Sequence, residues 1–351
     1  MRNFMPIGYN EVDFPEPSSR TDWYAYYIFY TSNNSPLLYE CIKPLIDELR
    51  SQNLIERWFF IRYWQEGPHL RFRVKPRPEA YDQVTRIVNE RVESFLEVRP
   101  ALYEVKSEIV GDIYKHMFLM EGTEEEWDEL YGDDGMPLRP SNSTSIEVYE
   151  PEYIKYGGPF GIEISEQHFE DSSDLVLTLL DTTNAHVRSV LFGLALQIMA
   201  VTISTFLPKT EDQLEFLKAY QAFWDTITEQ APKTDQYDDN FNAMKDSLNK
   251  QIPNLIEMVV RHREQELPSF LSDWGIKVRR TREQLDSATR DGKILLISSE
   301  DSTRRVADDI MRVRWSLLIP YIHMTNNRIG ISIPEETYLS YLLQRHLEDC
   351  S

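Results

Sequence analysis

From His69 to Lys75 polar and apolar residues alternate with a two-residue period, and before the interruption Gln65-Glu66-Gly67-Pro68 the run Trp58–Trp64 is aromatic and aliphatic except for Arg62. Two antiparallel strands joined by a tight connection satisfy that pattern, whereas a helix would scatter the same residues around its circumference. A four-residue turn pairing Trp64 with His69 predicts Arg62 opposite Arg71 and Phe60 opposite Arg73 on one face. Phe59, Ile61, Tyr63, Leu70, Phe72 and Val74 then fill the other face, which reads as core. The first face is unusual, because guanidinium groups directly across a ladder repel each other by roughly a few tenths to 1 kcal/mol. A negative partner is therefore expected there. It is either a carboxylate or oxyanion from a guest, gripped by arginine forks, or Asp and Glu side chains of the protein itself.

Around this hairpin the periodicity places further elements. Trp23 to Tyr30 is extended and aromatic, and Pro36 to Ser51 has helical spacing through Leu38, Ile42, Leu45, Ile46 and Leu49. Pro78 to Val98 reads as a second helix, with Tyr81, Val84, Val88, Val92 and Phe95 on one face. Strand, helix, two strands, helix is an α+β opening and not an alternating parallel sheet. Later segments read as helices over Ser173–Leu180, Ala185–Phe206, Glu211–Glu229, a polar stretch from about Asp235, and Asp301–Ile322. The expected organisation is one domain over 1–351, with a sheet-containing part to about 165 and a helical part from about 166. Residues 120–145 break the composition: Glu121 to Gly135 carries eight acidic residues and no basic one. It is read as an inserted acidic loop that buries little apolar surface.

The 351 residues and 41% hydrophobic content suffice for a packed core. With 58 acidic against 37 basic residues, the net charge of −21 repels phosphate backbones and anionic lipid, so neither nucleic acid nor membrane is an expected partner. Lys277, Arg279, Arg280 and Arg282 form a basic cluster, read as a solvated face or an internal counterweight to the acidic excess. Cys41 and Cys350 are too few and too distant for a disulfide framework or zinc site, which fits a reducing cytoplasm. The N-terminus lacks a signal-like pattern. The oily run Leu191–Ile203 is too short to span a bilayer and reads as a buried helix.

Three blocks give the chain a family resemblance. The first is the Trp58–Arg73 hairpin itself. The second runs from Tyr149 through Glu152, Lys155, Tyr156, Gly157, Gly158 and Pro159 to Glu166, Phe169, Asp171 and Ser172, and the third is His323, Met324, Asn327 and Arg328. In this order they resemble the C-terminal, glutamate-eliminating domain of lantibiotic dehydratases, found also as free-standing thiopeptide-type bacteriocin biosynthesis proteins.

The resemblance implies an α+β fold with a helical second half, and a peptide-modifying enzyme. Its leading activity is elimination of glutamate from glutamylated Ser or Thr, giving dehydroalanine or dehydrobutyrine. The alternative is formal [4+2] closure of a pyridine ring from two dehydroalanines, and a non-catalytic protein holding a leader peptide or partner along the Trp23–Tyr30 edge is a third reading. For elimination the resemblance assigns His323 as base, Arg71 and Arg73 as anion stabilisers, and Lys155 as a further catalytic cation. Lys155 stands where eliminating members carry arginine, keeping the charge without the planar fork. Arg62, His69, Glu152, Tyr156, Asn327 and Arg328 are expected substrate contacts. No metal or other cofactor is called for. The implied partners are a precursor peptide, a separate tRNA-dependent glutamylating dehydratase subunit and a second copy in a homodimer. On the residues alone, His323 also fits a simple helix C-terminal cap just after Pro320.

Overall fold

In the computed structural model, which describes residues 22–119, 122–228, 234–297 and 304–350, β2 (Ile55–Tyr63) and β3 (His69–Pro76) form the expected hairpin. β1 (Tyr24–Phe29) pairs antiparallel with β3, and β4 (Ser143–Glu147) pairs with β1, giving the order β2-β3-β1-β4. β1 is therefore an interior strand. Both of its ladders are filled, so it offers no edge for strand addition, contrary to the expectation for Trp23–Tyr30.

The hairpin register differs from the expected one. The connection holds five residues, Trp64 to Pro68, and Tyr63 pairs with His69. Ile61 then stands opposite Arg71, Phe59 opposite Arg73, and Arg62 opposite Leu70. Because side chains alternate faces, this one-residue difference moves every β2 side chain to the other side. Arg62 joins Trp58, Phe60, Leu70, Phe72 and Val74, while Phe59, Ile61 and Tyr63 join the two arginines.

The face bearing Trp58 and Phe72 is covered by helices. A helical run opens with α1 (Asn34–Pro36), passes through a π-turn at Leu37–Ile42 and continues as α2 (Lys43–Ser51). A 3₁₀ turn at Pro78–Ala80 leads into α3 (Tyr81–Val98), whose stripe Val84, Val88, Val92 and Phe95 is buried. Tyr24 ties sheet to helix by donating to Asn89 Oδ1 at 2.8 Å.

The acidic segment is structured, which corrects its reading as a loop. After α4 (Ser107–Leu119), α5 (Glu124–Leu130) starts from a capping box in which Thr123 and Glu126 satisfy each other's backbone donors. Three glutamates occupy its first turn, where the helix dipole favours negative charge. Trp127 and Met136 are buried with Tyr114, and Trp64 and Phe118 pack against them. Charge had concealed an aromatic face repeating every four residues.

The chain divides into two compact units. The first comprises residues 1–155 and 297–304, and the second 156–296 and 305–351. The second holds α6 (Gly158–Thr182), α7 (Arg188–Phe206), α8 (Thr210–Thr228), α9 (Thr234–Val260), α10 (Ser269–Arg290), α11 (Ile310–Ile329) and α12 (Ile333–Cys350). A short ribbon is made by β5 (Leu295–Ile297) and β6 (Arg304–Val306). α6 is three times longer than its expected core, and α10 and α12 have no counterpart in the sequence reading. α7 contains the oily run; it has the length and composition of a membrane span but is two-thirds buried within the protein.

The helix expected over 301–322 starts later and ends later. Residues 301–303 lie outside the described residues, Arg304–Val306 is a strand, and Asp309 caps α11 by accepting from the backbone of Met311 and Arg312. α11 then continues through Pro320 to Ile329, where Gly330 adopts φ +95°. Buried Leu317, Leu318, Tyr321 and Ile322 offset the hydrogen bond that Pro320 deletes.

Candidate functional site

In the first unit, β3 presents His69, Arg71 and Arg73 on one face. His69 lies among Tyr27, Phe29 and Tyr63, at ring separations of 5.0, 4.6 and 5.6 Å. Burial, reinforced by Arg71, pushes its imidazole down to about 3, so the ring is neutral at ordinary pH. Its Nε2 accepts from Arg71 Nε at 3.2 Å, which leaves Nδ1 to donate to the Gly67 carbonyl at 2.8 Å. His69 thus holds Arg71 in place.

The two arginines are gripped by aromatic rings. Arg71 sits 3.5 Å from the Tyr63 centroid and 4.8 Å from that of Tyr27. Arg73 lies 4.5 Å from Tyr149 and 5.4 Å from Phe59, with Trp23 edge-on behind both rings. Cation–π contact stabilises such groups by about 0.5–2 kcal/mol but leaves the charge itself uncompensated. Among the described residues no carboxylate forms an ion pair with either guanidinium. Glu147, on the same face, is engaged by Arg139 at 3.2 Å, and Glu66 by Arg139 at 2.7 Å. Glu152 is 3.7 Å from Lys155 Nζ and contributes only a minor field at Arg71. Arg73 is 9% exposed, and its Nε has no hydrogen-bond partner. Desolvation pushes Arg71 below its ordinary range, with Arg73 as a further opposing charge.

In the second unit, His323 lies in the middle of α11 and does not cap it. Its Nδ1 is 3.3 Å from Glu336 Oε2 on α12, and the ring packs against Trp224 of α8 at 4.7 Å. The other carboxylate oxygen of Glu336 accepts from Tyr220 OH. His323 retains 13% side-chain exposure while Glu336 is fully buried. An imidazole that keeps some exposure and is hydrogen-bonded to a buried carboxylate has the geometry of a proton-transfer group.

Tyr156 and Arg328, expected to touch substrate, are interior. Tyr156 is 1% exposed and packs on Phe169 and Tyr321, while Arg328 is 0% exposed, lies over Phe169 and donates to the Met324 carbonyl at 3.0 Å. Both pack against Phe169 of α6. Asn327 follows His323 by one helical turn and is half-buried. Gly157 and Gly158 take φ of +83° and +84° to start α6, and a Cβ on Gly161 would strike the Tyr156 carbonyl. This turn fixes Tyr156 inward.

The expected residues therefore group as Arg71, Arg73, Glu152 and Lys155 in the first unit, with Arg62 on the opposite sheet face, and His323 and Asn327 in the second. Glu336, Tyr220, Trp224 and Tyr149 are the residues the sequence reading missed. Tyr149 stood within the second block and could have been flagged as an aromatic near a cationic strand. Glu336 carried no signal, because paired glutamates at a helix start are ordinary dipole partners.

The chain belongs to the family described as Lantibiotic biosynthesis dehydratase C-term, which matches residues 23–347. It is thus a member of a biosynthetic family acting in ribosomal peptide natural-product pathways, and its α+β fold is that of solved relatives. A structure described as pyridine synthase TbtD from thiomuracin biosynthesis superposes with a TM-score of 0.72 at 17% identity, covering 93% of this chain and 98% of that one. TsrL superposes with 0.62 at 15% identity, covering 93% and 94%. The tRNA-dependent lantibiotic dehydratase MibB from Microbispora sp. 107891 gives 0.56 at 18% identity, over 97% of this chain and 29% of that one. No curated protein matches the chain in sequence.

Proposed function

We propose that this protein eliminates glutamate from glutamylated Ser or Thr in a precursor peptide. The observation that carries the reading is the pair Arg71 and Arg73, desolvated among aromatic rings with no acid of the described chain as ion-pair partner. Such charge without a partner is costly unless a guest supplies the counter-charge. A glutamyl ester brings a carboxylate before reaction, and as it departs it releases a second. The enolate-like oxygen formed between these stages is also anionic.

In this reading His323 removes the Cα proton, the Cβ–O bond breaks, the Cα–Cβ double bond forms and glutamate leaves as its carboxylate. Arg71 and Arg73 bind the developing and departing anions, while Lys155, with Glu152 beside it, orients the glutamyl group. A separate tRNA-dependent dehydratase subunit would supply the glutamylated peptide. A second reading, pyridine-ring closure from two dehydroalanines, is favoured by the higher structural similarity to a pyridine synthase over nearly the full length of both chains.

Purified protein offered a peptide with a glutamyl-Ser ester and another already carrying dehydroalanines separates the readings by mass spectrometry. Release of glutamate and a dehydroalanine product from the first supports elimination. Ring closure in the second alone overturns it in favour of the cyclase.

A further inference from the structure

Two adjacent glutamates open α12 and are used in opposite ways. Glu335 is partly exposed, pairs with Arg188 and accepts from the Ser332 backbone and hydroxyl. Glu336, one residue on, is fully buried, and among the described residues it forms no ion pair with Lys or Arg. Its two oxygens are nevertheless both engaged, one by Tyr220 OH and the other by His323 Nδ1.

A buried carboxylate is several kcal/mol unfavourable unless its lone pairs are met by donors and its charge by a cation. An ionised carboxylate only accepts, so both neighbours must donate. The phenol can do so, since burial and the adjacent carboxylate push Tyr220 well above its ordinary range and keep its proton on. The imidazole must then carry its proton on Nδ1. Nε2 is left with its lone pair, and the ring, wedged between Trp224 and the carboxylate, has little freedom to turn. Proton uptake at Nε2 creates a cation that faces Glu336.

We infer that Glu336, braced by Tyr220, is a positioning residue that holds His323 as the Nδ1–H tautomer, presents Nε2 as the proton acceptor and stabilises the imidazolium that results. The inference rests on His323 being the base in the proposed function, and it names the residues that make it one. Glu336 is the charged group placed against the ring; α8 contributes the Trp224 ring, with Tyr220 behind the carboxylate.

The test is long-range proton–nitrogen NMR on the full chain labelled in histidine, which reads tautomer and titration midpoint without any turnover. Wild type is expected to show Nδ1–H, and E336Q to titrate at least about one pH unit lower, since a unit reflects about 1.4 kcal/mol of lost interaction. In the peptide assay E336Q should lose about 10²- to 10⁴-fold in kcat with little change in KM. E336D, which keeps the charge, should recover part of both signals, and should E336Q fail to fold, the wild-type tautomer alone decides. An Nε2–H wild type, or a titration midpoint unmoved by loss of the charge, overturns the inference. Inertness of wild type towards both peptides, with the tautomer as expected, instead removes the proposed function on which it rests.

Discussion

The α10 cluster of the helical unit and strand β3 of the sheet unit treat arginine in opposite ways. In the helical unit every arginine of the α10 cluster has an acid: Arg279 pairs with Glu264, Arg280 with Asp171 and Arg282 with Glu283, and from α11 Arg314 pairs with Asp286. In the sheet unit Arg71 and Arg73 have only rings and a neutral histidine. With 58 acids in the chain, neutralising two more cations required no unusual sequence. An arginine matched by an acid from within is part of the scaffold; in the proposed function the counter-charge of Arg71 and Arg73 comes instead from the ligand.

That contrast breaks most readily at Arg73. Arg73→Met should lower glutamate release by about 10²- to 10³-fold, the usual span for a lost anion-stabilising group. Denaturant unfolding should meanwhile show less than about 1 kcal/mol of lost stability, because no buried acid is abandoned. Loss of fold instead of turnover would place Arg73 with the scaffold. The converse change, Arg279→Met, leaves Glu264 buried and unmatched and should cost about 3–5 kcal/mol, read by the same unfolding curves. A stable Arg279→Met would erase the distinction between the units.

Each unit also buries a histidine pushed far below its ordinary range, His69 in the first and His168 in the second, and these give the comparison a pH axis. Burial, with nearby arginines as secondary causes, pushes both His69 and His168 from 6.5 down to about 3. Their folded pKa lies below the unfolded value, so the unfolded chain takes up protons first. The stabilisation is complete above pH 6.5 and is lost progressively as pH falls from there towards 3. Melting temperature should drop over that window, and His168→Phe should flatten part of the decline. The smallest effect is expected at Arg62, which the register places behind the sheet. Arg62→Ala should leave turnover within about threefold and stability within about 1 kcal/mol; an Arg71-like loss of activity would contradict the observed register.

Much of this was legible in residue order. The hairpin, the helices at Pro36–Ser51 and Pro78–Val98, the buried character of Leu191–Ile203 and the family all followed from periodicity and three short motifs. Arg62 was misplaced because the loop has five residues where four were expected, and with a period of two a single residue exchanges faces. The expected helix ends at Ile322, yet packing of the apolar residues around Pro320 carries α11 on to Ile329 and sets His323 within it. Trp127 and Tyr131 were hidden by the acids between them, although those acids are what cap and orient α5.

Composition and local pattern alone determined that the chain has a core, that its first part pairs strands and its later part is helical, and that arginines cluster on one strand. Those properties depend on neighbours a few residues away, whose spacing is written directly in the chain. Tertiary structure decided which arginines found acids, which face Arg62 joined, and that Glu336 and Tyr220 lie behind His323. The last depends on partners 13 and 116 residues from Glu336, brought together only when burial makes every polar group find a partner or remain without one.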